Sequence, residues 1–83
     1  MTQQEIKQII EAVEKGDESA FNPFFKDYHQ KCIFRLRHLT QSEDLANEAF
    51  MEAIYKFWKK FVKGTEVLPN NVEGYIFQMA KNS

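Results

Sequence analysis

The sequence predicts an all-α protein, a compact bundle of four helices whose second and third members are long and antiparallel. Apolar residues recur at spacings of three and four through most of the chain, and no useful stretch alternates with the period of two that a strand needs. Breaks at Gly16, at Thr40 to Glu43 and at Lys63 to Asn71 divide that periodicity into four parts. Eighty-three residues, 43% hydrophobic and with eight Phe against three Gly and two Pro, suffice for one small core. A single domain over 1–83 is therefore expected, with no internal repeat and no linker long enough to split it.

Ile6, Ile9, Ile10 and Val13 lie at i, i+3, i+4 and i+7, one stripe of a short first helix that Gly16 is placed to end. Asp17 can then cap a second. Phe21, Phe24, Phe25, Tyr28, Cys32, Leu36 and Leu39 share a sector of about 120° at helical pitch, which predicts a core face. Pro23 admits two starts. With Asp17 as cap, proline falls in the first turns and costs a backbone bond; with Asn22 as cap, it sits at the first helical position. Either way the helix is expected from about 18 to 39, kinked or restarted near Pro23.

Ser42 can cap a third helix reaching roughly Val62, with Ala49, Phe50, Ala53, Ile54, Phe57 and Phe61 inward. Gly64, Pro69 and the Asn70-Asn71 pair mark 63–71 as a loop, and Asn71 can cap a fourth helix carrying Val72, Ile76, Met79, Ala80 and Ser83 on one face. No stop signal follows, so Ser83 reads as a fragment boundary.

Composition excludes several function classes. Cys32 is the only cysteine, which rules out an internal disulfide framework or a cysteine-rich zinc site, and its core-face position suits a small buried hydrophobe. The first residues lack a basic stretch followed by a continuous apolar one, and no apolar run nears the roughly 18 residues that span a bilayer, so a cytoplasmic protein without membrane contact is expected. A net charge of −1 argues against holding duplex DNA mainly by neutralising phosphates. Phosphate-cradling glycine loops and helical metal motifs are missing, and His29 and His38 point to opposite sides of their helix. Neither enzyme activity, cofactor nor metal is expected.

Two patterns remain. Asp44, Glu48 and Glu52 recur at i, i+4 and i+8 opposite Phe50, Ala53 and Phe57, a spacing that destabilises an isolated helix by a few tenths of a kcal/mol per pair, about 0.2–0.5. The face is either simply solvated, with Glu52 relieved by Lys56, or a docking surface for a basic helix. Tyr55, Trp58, Tyr75 and Phe77 lie at or beyond the edges of their core arcs, near Lys59, Lys60, Lys63 and Lys81. They either extend the core or form aromatic platforms interleaved with positive charge, a means of holding single-stranded bases.

Gly16-Asp17-Glu18-Ser19-Ala20-Phe21, then Asp44-Leu45-Ala46-Asn47-Glu48-Ala49-Phe50, then the segment Tyr75 to Asn82 follow one another in an order that resembles the second region of extracytoplasmic-function sigma factors. The family's opening Gly-Asp followed by Ala-Phe is similar to Gly16-Asp17-Glu18-Ser19-Ala20-Phe21, and its Asp-Leu-x-Gln-Glu-x-Phe run resembles Asp44-Leu45-Ala46-Asn47-Glu48-Ala49-Phe50, with Asn47 in place of the usual Gln. Its closing Ala-x-Asn helix is similar to Tyr75 to Asn82. The resemblance covers residues 10–83, about half of a family protein, and stops before that family's C-terminal helix-turn-helix domain.

That resemblance implies a transcription initiation module without catalysis of its own. Asp44, Asn47, Glu48, Met51, Glu52 and Tyr55 would dock on the clamp helices of the largest catalytic subunit of core RNA polymerase. Asn70, Asn71, Tyr75, Gln78 and Asn82 would meet the non-template strand of the promoter minus-ten element, and Lys59, Lys60, Lys63 and Lys81 its phosphates. An anti-sigma factor is a further candidate partner. The competing expectation is a helical protein-interaction or regulatory domain that never contacts DNA.

Overall fold

The computed structural model describes residues 1–82, and the expectations attached to Ser83 lie outside them. Four helices form: α1 (Gln3–Glu14), α2 (Asn22–Thr40), α3 (Glu43–Phe57) and α4 (Val72–Lys81). No strand occurs among the described residues. Helical backbone extends α2 and α3 further, through a 3₁₀ turn over Glu18–Phe21 and a π turn over Trp58–Val62.

Local chemistry fixes each end. Thr2 and Glu5 form a reciprocal capping box: the Thr2 hydroxyl accepts from the Glu5 amide at 3.1 Å, and the Glu5 carboxylate accepts from the Thr2 amide at 2.9 Å. Hydrogen bonds that the carboxylate accepts from Thr2, the backbone amide first, hold the Glu5 carboxyl below its usual pKa. At the other end Gly16 takes φ +105°, its amide bonds the Val13 carbonyl at 2.9 Å, and the Asp17 amide bonds the Ala12 carbonyl at 3.0 Å. This is a Schellman closure, which needs a residue that tolerates the left-handed region.

The start of α2 departs from both proposed caps. Asp17 makes no side-chain bond to the helix; its carboxylate instead accepts the Ser19 hydroxyl at 2.6 Å. Asn22 is the first α-helical residue rather than a cap, and Phe21 before it is already helical in φ and ψ. The 3₁₀ turn is the physical reason: its tighter bonds carry the chain to Pro23, where a missing N–H within the first turn costs nothing.

Ser42 caps α3 through the Leu45 amide, and Asn71 caps α4 through the Gly74 amide. Gln41 alone links α2 to Ser42, in a left-handed conformation at φ 57°. With so short a link the two long helices fold back on each other. Contacts between Phe24 and Phe57, Phe25 and Phe50, and His29 and Asn47 run in opposite senses along the two helices, so they are antiparallel. Tyr28 near Val72 and Arg35 over Phe77 show α4 running parallel to α2.

Phenylalanines make the centre. Phe24 stacks on Phe21 at 4.8 Å and on Phe57 at 5.1 Å, and Phe24, Phe50 and Phe57 are fully buried. Burial of each is worth about 1.5–3 kcal/mol, and each ring pair about 0.5–1.5 kcal/mol more. Ile6, Val13, Tyr28, Cys32, Leu36, Ala46, Ile54, Val62 and Ile76 close the core around them.

One core expectation fails: Leu39 is 55% exposed. Its helical bearing is inward, but it lies in the last turn of α2, beside a groove instead of under a neighbouring helix.

Candidate functional site

The outward face of α3 follows from the inward one. Packing of Phe50, Ala53 and Phe57 turns Asp44, Glu48 and Glu52 into water, together with Met51 and Tyr55, which are 54% and 60% exposed. Glu52 meets Lys56 at 3.3 Å, an exposed pair of little energetic weight. Among the described residues Asp44 and Glu48 have no such partner, and neither belongs to the core. Asn47 stands apart from this group: it is half-buried, and its side-chain oxygen lies 3.0 Å from His29 Nε2 in the seam with α2. There it bridges helices rather than facing outward.

Beside Glu48 the surface is concave. A groove of about 490 Å³ runs between the last turn of α2, the first half of α3 and the end of α4, floored by Leu36, Ala49 and Ala80. Leu39 and the 54%-exposed Leu45 form its apolar rim, with Glu48, Glu52 and Lys81. Sequence reasoning missed Leu45 because the acidic periodicity drew attention to its neighbours. The signal was present, a leucine on the polar side of the helical wheel.

The second group of residues surrounds the π turn. The Lys63 amide reaches back five residues to the Trp58 carbonyl at 2.9 Å, so one additional residue fits the turn. Phe61 and Val62 are thereby both buried, while Lys59, Lys60 and Lys63 stay exposed. Each lysine meets an aromatic side chain. Lys59 sits over Tyr55 at 5.3 Å, Lys63 over Trp58 at 5.7 Å, and the Lys60 ammonium donates to the Tyr75 hydroxyl at 3.4 Å. That bond, with Glu66 at 3.7 Å, holds Lys60 above the ordinary lysine pKa. Gly64 follows because a Cβ there would lie 2.8 Å from the Lys59 carbonyl oxygen and closer still to that of Lys60.

These aromatics divide between the core and the surface. Trp58 meets Phe21 edge-on at 4.7 Å, and Tyr75 packs between Phe57 and Phe61, so both belong partly to the core. Tyr55 remains mostly in solvent. Tyr75 is brought together with Lys60, whereas Gln78 and Asn82 are exposed further along α4, one turn apart. Lys81 lies instead at the groove beside Leu39 and Glu48. Asn71 is committed to its cap, and Asn70 is exposed with its carbonyl 3.3 Å from Gln3 Nε2. The same Gln3 amide donates to the Pro69 carbonyl at 2.7 Å, tying α1 to the loop.

The remaining reactive groups are absorbed by packing. Burial pushes the Cys32 thiol up to about 11, which keeps it protonated and unreactive at neutral pH. His29 packs on Phe25 and Phe50, and His38 on Phe34. Among the described residues no group of His, Cys, Asp and Glu could hold a metal, and no helix is long and apolar enough to cross a membrane. Comparison with known proteins finds no matching family, no matching curated protein and no matching solved structure.

Proposed function

We propose that the chain is a sigma-factor module: it binds core RNA polymerase through the outward face of α3, and it recognises and opens the promoter minus-ten element through the 63–71 loop and α4. The observation that carries this reading is the coincidence of two facts at Asp44 and Glu48. They occupy the acidic positions of the Asp-Leu-x-x-Glu-x-Phe run, and they are solvent-facing with no part in the core. Like charges one turn apart are locally unfavourable, so a face that keeps them without a packing need suits a basic helical partner. Support for the nucleic-acid contact is the alternation of lysine and aromatic side chains from Tyr55 to Lys63 and Tyr75, a pattern that stacks bases without a large basic surface.

A second reading has its own observation. Leu39 and Leu45 on the rim of an acid-flanked groove fit the apolar stripe of a basic amphipathic helix, which requires no DNA. A fluorescently labelled minus-ten non-template oligonucleotide, offered with and without core polymerase, separates the two. The sigma reading expects sequence-selective binding that strengthens with polymerase. Polymerase-independent behaviour with no selectivity would leave the interaction-domain reading.

A further inference from the structure

We propose that the outward ridge of the C-terminal half of α2 is a separate contact for single-stranded nucleic acid, with a base stacked on Phe34 and phosphate held by Arg37. The site lies on a different helix from the lysine and aromatic group around the π turn, and the argument for it does not depend on a promoter role.

The sequence concentrates positive charge here against its own average. Twelve acidic residues outnumber eleven basic ones in the chain, yet the span from Tyr28 to Ser42 holds Lys31, Arg35, Arg37 and both histidines with no Asp or Glu. Lys31 is engaged by Asp27 at 2.9 Å on the preceding turn. Arg35 and Arg37 enter no ion pair among the described residues. Arg35 lies over the Phe77 ring at 3.8 Å, which fixes this flank of the ridge against α4.

Phe34 is the second element. It points directly away from Leu36 and the core and is 61% exposed, so it adds little to folding. Its ring meets His38 at 4.6 Å and 71°, an edge-to-face contact that occupies at most one of the two faces of either ring. Phe34, Arg37 and His38 line a shallow depression of about 260 Å³. An open aromatic face beside an unpaired guanidinium is the combination that holds a nucleotide: the ring takes the base and the planar fork takes the phosphate. An acidic peptide would use the charge but leave the ring without a role.

The test measures binding of a short labelled oligothymidylate, which contains no minus-ten sequence, to the chain and to Phe34→Ala and Arg37→Glu variants. Both variants are expected to melt with the parent, because neither side chain is in the core. Phe34→Ala should weaken binding about tenfold. Arg37→Glu should weaken it at least as much and flatten its salt dependence. Parental affinity in Phe34→Ala overturns the proposal. So does competition by polyglutamate as effective as that by unlabelled oligothymidylate, which would assign the ridge to acidic proteins. Failure of the α4 reading shows elsewhere, as unchanged minus-ten selectivity in Tyr75→Ala and Asn82→Ala, and leaves the ridge result standing.

Discussion

Asp44 and Glu48 show how one side chain can separate a structural role from a functional one. Neither belongs to the core, and replacing Glu48 by Lys removes one like-charge pair with Asp44 and another with Glu52. Stability should change by no more than about 0.5 kcal/mol. If the face docks on a basic helix, the same reversal turns attraction into repulsion and costs several kcal/mol, in the range of about 2–5. Asp44→Lys and Glu48→Lys are therefore expected to melt within a few degrees of the parent and to lose most of their affinity for core polymerase. Normal polymerase binding by both variants, measured beside their melting curves, would return the stripe to an ordinary solvated face. The helical wheel was enough to place these two residues. It was not enough for Asn47, whose bond to His29 depends on how α2 and α3 are set against each other, nor for Leu39. A wheel gives the direction of a side chain and not whether a neighbour waits there.

At the scale of elements, the punctuation of the chain was readable where a single residue type enforces it. Gly16 closes α1 because only a left-handed residue completes its Schellman bonds, and Ser42 and Asn71 cap as their side chains allow. The Thr2-x-x-Glu5 box is equally visible in the letters. The π turn was not readable, since no residue type calls for it; it arises where the Phe61 and Val62 pair must both face inward. Gly64 tests that account. With backbone carbonyls of Lys59 and Lys60 against its α-carbon, Gly64→Ala leaves no flexible side chain to yield, and the turn itself must move. A loss of about 1–3 kcal/mol is expected in urea unfolding. An unchanged midpoint would mean that the turn relaxes into an ordinary helical one.

For the whole molecule, charge distribution decides more than net charge. The net value of −1 conceals an acidic α3 face, a lysine and aromatic group around the π turn, and a basic ridge on α2. Duplex DNA needs many phosphates neutralised together, so the isolated chain should bind duplex poorly, with a shallow salt slope, in a fluorescence titration at physiological salt. Tight duplex binding with a steep slope would contradict the arrangement. The core also predicts a pH response. Cys32 keeps its proton up to about 11 in the folded chain, from an ordinary value of 9.0, and burial likewise raises Tyr28. Between those values the unfolded thiol has ionised and the folded one has not. Stability from this group is therefore complete below about pH 9 and falls as pH rises toward about 11. Melting temperatures across that interval, compared with those of Cys32→Ala, should show the decline reduced in the variant.

The side chain of Gln3 has a consequence that reaches across the sequence. Its amide donates to the carbonyls of Pro69 and Asn70, so the first turn of one helix restrains the end of a loop 66 residues away. Fluctuations of that loop are thereby governed in part from the first helix of the chain. A loop held in place before it meets a partner loses less conformational entropy on binding than a free one. Gln3→Ala should accordingly quicken amide hydrogen exchange in the 63–71 segment, leave exchange in the middle of α2 and α3 unchanged, and alter what the loop binds through its motion and not through its chemistry. Exchange rates that remain parental throughout the segment would show that Pro69 and the Asn71 cap hold the loop unaided.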